Sequence, residues 1–439
     1  MRRPLCVFCV GTLGVELVCA FLPQTGLLLP FAAFFVPALL WLLFGKNSRG
    51  YGVCLLLGAL AGLLLTAHTR QKLDRVHTAY ADREVTLTAE VEEVSASYYP
   101  GVVHAVLRVE PTGGEKTAFR VECVCMPKCT AGERVQARFA LEVPARTQQL
   151  SSYADGIALS GEYLSGMKHL GPSESFRAKT ARLQRRLSAA LRKGMAQGPA
   201  GVLAAMVLGD RTHLPKDFRS AYRAAGLSHV LVVSGMHVSI LCGSVFAKYL
   251  PEKKKRERGY ASRRRQALFS AAMALLLAGV TGLTPSVLRA ATAVWVSALG
   301  VWVYGPPDAL TSLGVAGVWM TLGNSYAVCD IGFELSFAAV LGTLAGSELA
   351  RKSRRFPLLR NSVWETLCVS ACASAATFPV LVLRGLSASL YALVSSVAVL
   401  WLVEPVLQLG LATALLGCWS ALARCTGCAP CARPRWQGV

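Results

Sequence analysis

The sequence predicts an α-helical polytopic membrane protein of about ten or eleven transmembrane helices, with a small extracytoplasmic β-barrel domain inserted between them. Three observations lead there. Hydrophobic residues fill 53% of the 439 positions and charged residues only 16%, with a mean hydropathy of +0.44, unlike a soluble globular protein. Apolar runs near the ~20 residues of a bilayer crossing recur along the chain. Between residues 68 and 225 they stop, and short alternating segments replace them.

The runs lie at residues 4–22, 26–44, 50–67, 226–250, 267–283, 288–304, 310–325, 333–350, 362–383, 386–403 and 405–423. The net charge of +21 is concentrated in short loops: residues 253–265, KKKRERGYASRRR, hold eight Lys or Arg against Glu257 alone, and residues 351–360, RKSRRFPLLR, hold five with no acid. The positive-inside rule makes both loops cytoplasmic, together with Arg2, Arg3 and the turn at residues 46–49. Threading the runs between these anchors places the N-terminus in the cytoplasm and residues 68–225 outside the cytoplasmic membrane. The start of the chain also has the outline of a cleavable signal ending at Ala20, but Glu16 inside the run speaks against it, and cleavage there would leave the orientation unchanged.

The external segment reads as five strands: EVTLTAEVEEV, VVHAVLRVE, TAFRVECVC, ERVQARFALEV and IALSGEYL. In the third, Phe119, Val121, Cys123 and Cys125 share one face while Arg120 and Glu122 take the other. Five short strands with one buried face suggest an OB-like barrel over residues 68–166. With 11 basic and 13 acidic side chains between residues 68 and 165, it is no basic clamp by charge alone. Residues 167–197 contain a basic amphipathic helix whose stripe is Phe176, Leu183, Leu187, Ala190 and Leu191. Seven Lys or Arg occupy its other faces, favouring an interfacial helix on anionic headgroups over a phosphate-guiding surface.

Most of the fifteen cysteines lie in or beside apolar runs, where a thiol is a small packing residue. Cys125 and Cys129 flank a short turn, so a local disulfide and two free thiols both remain open. The tail at 424–439 carries CTGCAPC, a spacing suited to a metal only with a fourth ligand; no nearby histidine supplies one, and no metal or other cofactor is assigned.

Four stretches put polar groups where a bilayer makes them costly: VLGDRTHLP (207–215), GLSHVLVVSGMHVSIL (226–241), TGLTPSVLRA (281–290) and DIGFELSFAAVLG (330–342). Helix breaks at Ser234-Gly235 and Thr284-Pro285 expose backbone that is tolerated only inside protein or along a cavity. Ser234 and His237, three residues apart, share a helix face. Four such motifs together favour a polar path between discontinuous helices over interhelical hydrogen bonds alone. Its candidate lining is His229, Ser234, Gly235, His237, Pro285, Arg289, Glu334 and Ser336; Arg289 could equally pair with Glu334.

The order of LGDR and LP, AGLSHVLVVSGMHV, TGLTPSVLRA, DIGFELSFAAVLG and TFPVLVL resembles the membrane domain of the ComEC family, competence proteins of naturally transformable bacteria, over residues 200 to about 405. The three N-terminal runs (1–67) and the OB-like domain resemble the first part of the same family. The resemblance implies that residues 198–423 form a channel through which single-stranded DNA enters the cytoplasm during natural transformation. Among the signature positions, Glu334 stands where glutamine is common and Met236 where leucine is usual. No His-x-His-x-Asp-His cluster of a metallo-β-lactamase-like domain and no Walker loop is present, so the expected partners are a separate DNA receptor, a cytosolic helicase motor and a nuclease, besides the lipid bilayer. The chain itself is not expected to be an enzyme. Two other readings of the same fold are a diverged small-solute permease and an intramembrane hydrolase using Ser234 and His237.

Overall fold

A computed structural model describes residues 3–21, 28–44, 49–96, 101–110, 118–193, 195–231, 233, 235, 237–238, 260–303, 308–352, 361–386, 389 and 391–425. The helical part begins with α1 (Pro4–Phe21), α2 (Leu28–Phe44) and α3 (Arg49–Tyr80). Glycines let α1 and α3 touch backbone to backbone: a Cβ on Gly58 would stand 2.1 Å from the Phe8 carbonyl oxygen, and one on Gly62 2.5 Å from that of Thr12. Small residues drive such close crossings where no water is available to reward apolar burial. Glu16, the charge inside the first apolar run, is fully buried.

The 32 residues of α3 run on beyond the apolar run, and its last turns place Val76 and Leu73 in the core of the barrel. The barrel closes in the order β1-β2-β3-β5-β4, from β1 (Arg83–Ala96), β2 (Val102–Val109), β3 (Phe119–Pro127), β4 (Glu133–Glu142) and β5 (Ile157–Pro172), with α4 (Gln149–Ala154) before β5. All pairings are antiparallel except β3 with β5. The five expected strands are present, although β5 continues past residue 166. One face assignment changes. Phe119, Val121 and Cys123 point inward, but Cys125 is exposed and Met126 takes the next core position. A bulge explains it: Val103 pairs with Met126 and Ala105 with Cys123, so two residues of β3 oppose one of β2 and the alternation resets.

Next, α5 (Phe176–Arg192) is engaged by protein along part of its stripe, with Phe176 and Leu183 left exposed. Leu187 and Leu191 are buried in the bundle core, while Arg182 donates to the Ser173 carbonyl and Arg185 to that of Ala131 in the barrel. It is a strut between barrel and bundle, because its arginines find carbonyls and carboxylates of the barrel before they find solvent.

The bundle continues with α6 (Gln197–Leu208), α7 (Lys216–Ala224), α8 (Tyr260–Val280), α9 (Pro285–Trp302), α10 (Ala309–Thr321), a 3-10 turn (Ser325–Cys329), α11 (Ile331–Lys352), α12 (Asn361–Leu383) and α13 (Ala392–Cys425). Among the described residues, four helices are long and apolar enough to cross a membrane, with five shorter apolar ones beside them. The runs at 386–403 and 405–423 correct themselves into one structure: α13 is a single 34-residue helix with Pro405 inside it. A proline removes one backbone hydrogen bond and bends a helix, but without turn residues around it the helix resumes. The CTGCAPC tail lies outside the described residues beyond Cys425.

Candidate functional site

Polar contacts of the bundle gather at its two ends. At one, Arg3 pairs with Asp308 at 3.2 Å and the Arg264 guanidinium lies 5.1 Å over the Trp302 ring. At the other, all the polar stretches meet. The C-termini of α6 and α8 come together there because Gln184 of α5 donates its amide to two carbonyls, Leu208 at 2.7 Å and Thr281 at 3.1 Å. Helix C-terminal carbonyls lack intrahelical partners, so one side chain satisfies two helices at once. Gly209 (φ +74°) and Gly282 (φ +71°) end those helices, and a Cβ on Gly282 would stand 2.7 Å from the Gln184 amide oxygen. Replacing Gln184 by Ala orphans both carbonyls, for an expected loss of about 1–3 kcal/mol. A lower melting temperature of the purified protein, with the barrel still folded, is the measurement that checks it.

The break at Thr284-Pro285 is a turn between two helices. Leu283 adopts φ +61°, its N–H donates to Ala278 at 2.9 Å, and Pro285 opens α9 as its first residue, where a missing N–H costs nothing. One turn on, Arg289 is 8% exposed and binds Asp330, not Glu334: Nη1 donates to Oδ2 at 3.2 Å. Asp330 is also the cap of α11, accepting from the N–H groups of Gly332 (3.1 Å) and Phe333 (2.9 Å). Gly332 makes room for the pair, since a Cβ there would meet the Arg289 guanidinium at 3.1 Å. Glu334 has a different partner, Arg384 after α12, which grips both carboxylate oxygens and donates to the Cys329 carbonyl at 2.9 Å. Glu334 is therefore neutralised, and the Arg289–Glu334 pair expected as an alternative does not form.

The remaining candidates separate. His229 is exposed beside exposed Ser228, in turns that run from residue 225 to residue 230. His237 is fully buried, and Gly235 sits where an added Cβ would meet Ala290 at 3.6 Å. The break in this stretch thus precedes Gly235, since Gly235, His237 and Val238 are already helical. Ser336 is half-buried on α11 beside the stacked rings of Phe333 and Phe337. Ser234 lies outside the described residues, so a Ser234–His237 arrangement has no described geometry.

The barrel docks on this same end. Asn324 donates to the Tyr153 carbonyl at 2.6 Å, Tyr153 packs on Tyr326 with ring centroids 5.5 Å apart, and Ser325 N–H donates to Thr69 of α3 at 3.2 Å. Next to this contact, partial burial and then the charges of Asp330, Glu122 and Glu93 push the Asp155 carboxyl up to about 6. Asp210 goes the other way: burial would raise it, but hydrogen bonds from Ser188 and Thr212 outweigh that and hold it below the usual range. In the barrel, Cys125 and Cys129 are both free thiols, one exposed and one buried, so the local disulfide is not formed. Burial pushes Cys129 up to about 11 and Cys123 to about 12, which leaves both protonated and unreactive.

Four residues of this end were not singled out from the sequence: Asp330, Arg384, Gln184 and Asn324. Asp330 was legible, as an aspartate just before an apolar helical run is an N-cap signal. Arg384 offered only a charge at the end of TFPVLVL. Gln184 and Asn324 gave no signal, since their partners are backbone groups 24 to 171 residues away.

A family model described as Competence protein matches residues 206–431, just over half of the chain. The chain is also similar to ComE operon protein 3 of Bacillus subtilis (strain 168), at 25% identity over 218 residues. That alignment takes in 50% of this chain and 26% of that protein, so the chain spans about a quarter of the relative it matches. No solved structure matches.

Proposed function

Because the chain belongs to the ComEC-type Competence protein family, we propose that it forms a channel for uptake of single-stranded DNA across the cytoplasmic membrane during natural transformation. The observation that carries this reading is the convergence of four separated polar motifs at one end of an apolar bundle, with the barrel docked on that end. Glu334 supports it in its paired state, since a carboxylate held by Arg384 no longer repels a polyanion. The barrel order supports an OB-like receiving domain, a type of barrel that binds oligonucleotides. The basic loops argue for a cytoplasmic N-terminus and an external barrel. The chain acts as a conduit that works together with a DNA receptor, a helicase motor and a nuclease.

The test is uptake of labelled DNA by a strain lacking this gene. Surface-bound label should accumulate while internalised, nuclease-protected label disappears, and the intact gene should restore it. Undiminished internalisation in the deletion strain refutes the conduit.

A further inference from the structure

We propose that Arg211, Lys216, Arg219 and Arg223 form a phosphate-binding lip that captures the DNA backbone just before the strand reaches Ser228 and His229; this rests on the conduit reading above. In the nine residues of α7, positions three and four apart share a side, so Lys216, Arg219 and Arg223 line one face. Phe218 and Tyr222, four apart, line another. That apolar face is partly engaged: a Cβ on Gly198 of α6 would meet the Phe218 ring at 3.1 Å and Tyr222 packs on the bundle core, while Phe218 stays 40% exposed. An interfacial helix needs its apolar face for acyl chains. Here Phe218 is the one large apolar side chain of the helix left exposed, against three exposed cations on the basic face, a proportion that favours a nucleic-acid backbone over a lipid surface.

These cations are also uncommitted. On α5, Arg177 pairs with Glu92, Lys179 with Glu174, and Arg182 and Arg185 donate to carbonyls. Among the described residues, no carboxylate lies within ion-pair distance of Arg211, Lys216, Arg219 or Arg223, and none of the four side chains donates a hydrogen bond within the protein. Asp217, the one carboxylate on α7, occupies the first turn, where the helix dipole favours it. Burial first, and then the charge of Arg219, hold the Arg211 guanidinium below its usual range. An anion between these two cations replaces their repulsion with two charge-assisted hydrogen bonds.

The lip is fixed to the candidate site. Gly226 (φ +73°) ends α7 with its N–H on the Arg223 carbonyl at 3.0 Å and that of Leu227 on Tyr222 at 2.8 Å. Ser228 and His229 follow directly, both exposed, and the Ser389 hydroxyl ties the Ala224 carbonyl to the segment after Arg384 at 2.8 Å. Contacts to phosphates carry no base information, as a conduit for arbitrary sequence requires.

The test is binding of a fluorescein-labelled oligothymidylate to the full chain in nanodiscs of neutral lipid, read by anisotropy against salt. In the variant K216Q/R219Q/R223Q, affinity should fall at least about tenfold near 0.1 M salt, and the slope of log K on log salt should shrink by about 2. The charge-keeping R219K/R223K variant should retain most binding. An equal neutralisation, K253Q/K254Q/K255Q, should leave it unchanged. Equal affinity and slope in the triple variant overturn the lip, as does a wild-type chain that binds no oligonucleotide. If the triple variant loses only association with anionic-lipid vesicles, the face serves lipid and the proposal falls. A lip that binds DNA in a protein whose deletion leaves uptake intact refutes the conduit alone.

Discussion

Replacing Arg289 by Ala is expected to lower the amount of folded protein in the membrane, and to abolish uptake through that loss. Arg289 is 8% exposed and its partner Asp330 has a side chain 28% exposed, so removing one strands the other's charge in a poorly solvated place. Breaking such a pair costs about 3 kcal/mol, the lower end of the range for fully buried pairs because Asp330 keeps some water. Asp330 is also the cap of α11, so Asp330→Ala adds a lost cap of about 1 kcal/mol. The double variant Arg289→Ala/Asp330→Ala should therefore be much less destabilised than the sum of the two singles. Arg289→Ala combined with Glu334→Gln should be closer to additive, since Glu334 is held by Arg384. Abundance by immunoblot and melting of the purified protein measure all four. Normal levels of the Arg289→Ala protein with defective uptake would mean instead that water reaches the guanidinium and that it lines a wet path.

Gly342→Val and Gly346→Val should be the most damaging single changes in the bundle. A Cβ at Gly342 would stand 2.5 Å from the Cys372 carbonyl oxygen and 2.7 Å from the Ala373 Cα; one at Gly346 would stand 2.7 Å from the Cys368 carbonyl oxygen. These are backbone atoms and cannot rotate away, so α11 and α12 must separate. Overpacking of this kind costs about 1–3 kcal/mol where side chains give way, and more where only backbone can. Glu334 lies on α11 and Arg384 directly follows α12, so prying the helices apart pulls on that bidentate pair at the polar end. Loss of the folded band in detergent, with a smaller effect for alanine than for valine at each position, is the expected readout. A stable, active Gly346→Val protein would show that the helices are not in backbone contact there.

Composition alone predicted a mostly helical chain with apolar helices long enough to cross a bilayer, and four described helices are of that kind. Strand alternation determined the barrel, and turn chemistry determined most helix limits: Pro285 opens a helix, and Gly209 and Gly282 close theirs. These are local effects, acting within a few residues of their cause. The bulge at Cys123 to Met126 was out of reach, because it depends on which residues of β2 lie opposite. The same holds for α5, whose basic stripe reads as a headgroup surface until the barrel supplies carbonyls for it. The site divides likewise. The sequence identified Arg289 and Glu334 as charges that need partners in an apolar setting. It could not say which ones, since a buried charge pairs with whatever the fold brings within a few ångströms. Only the tertiary structure matched Arg289 to Asp330, 41 residues away, and Glu334 to Arg384, 50 residues away, and gathered both pairs beneath the barrel.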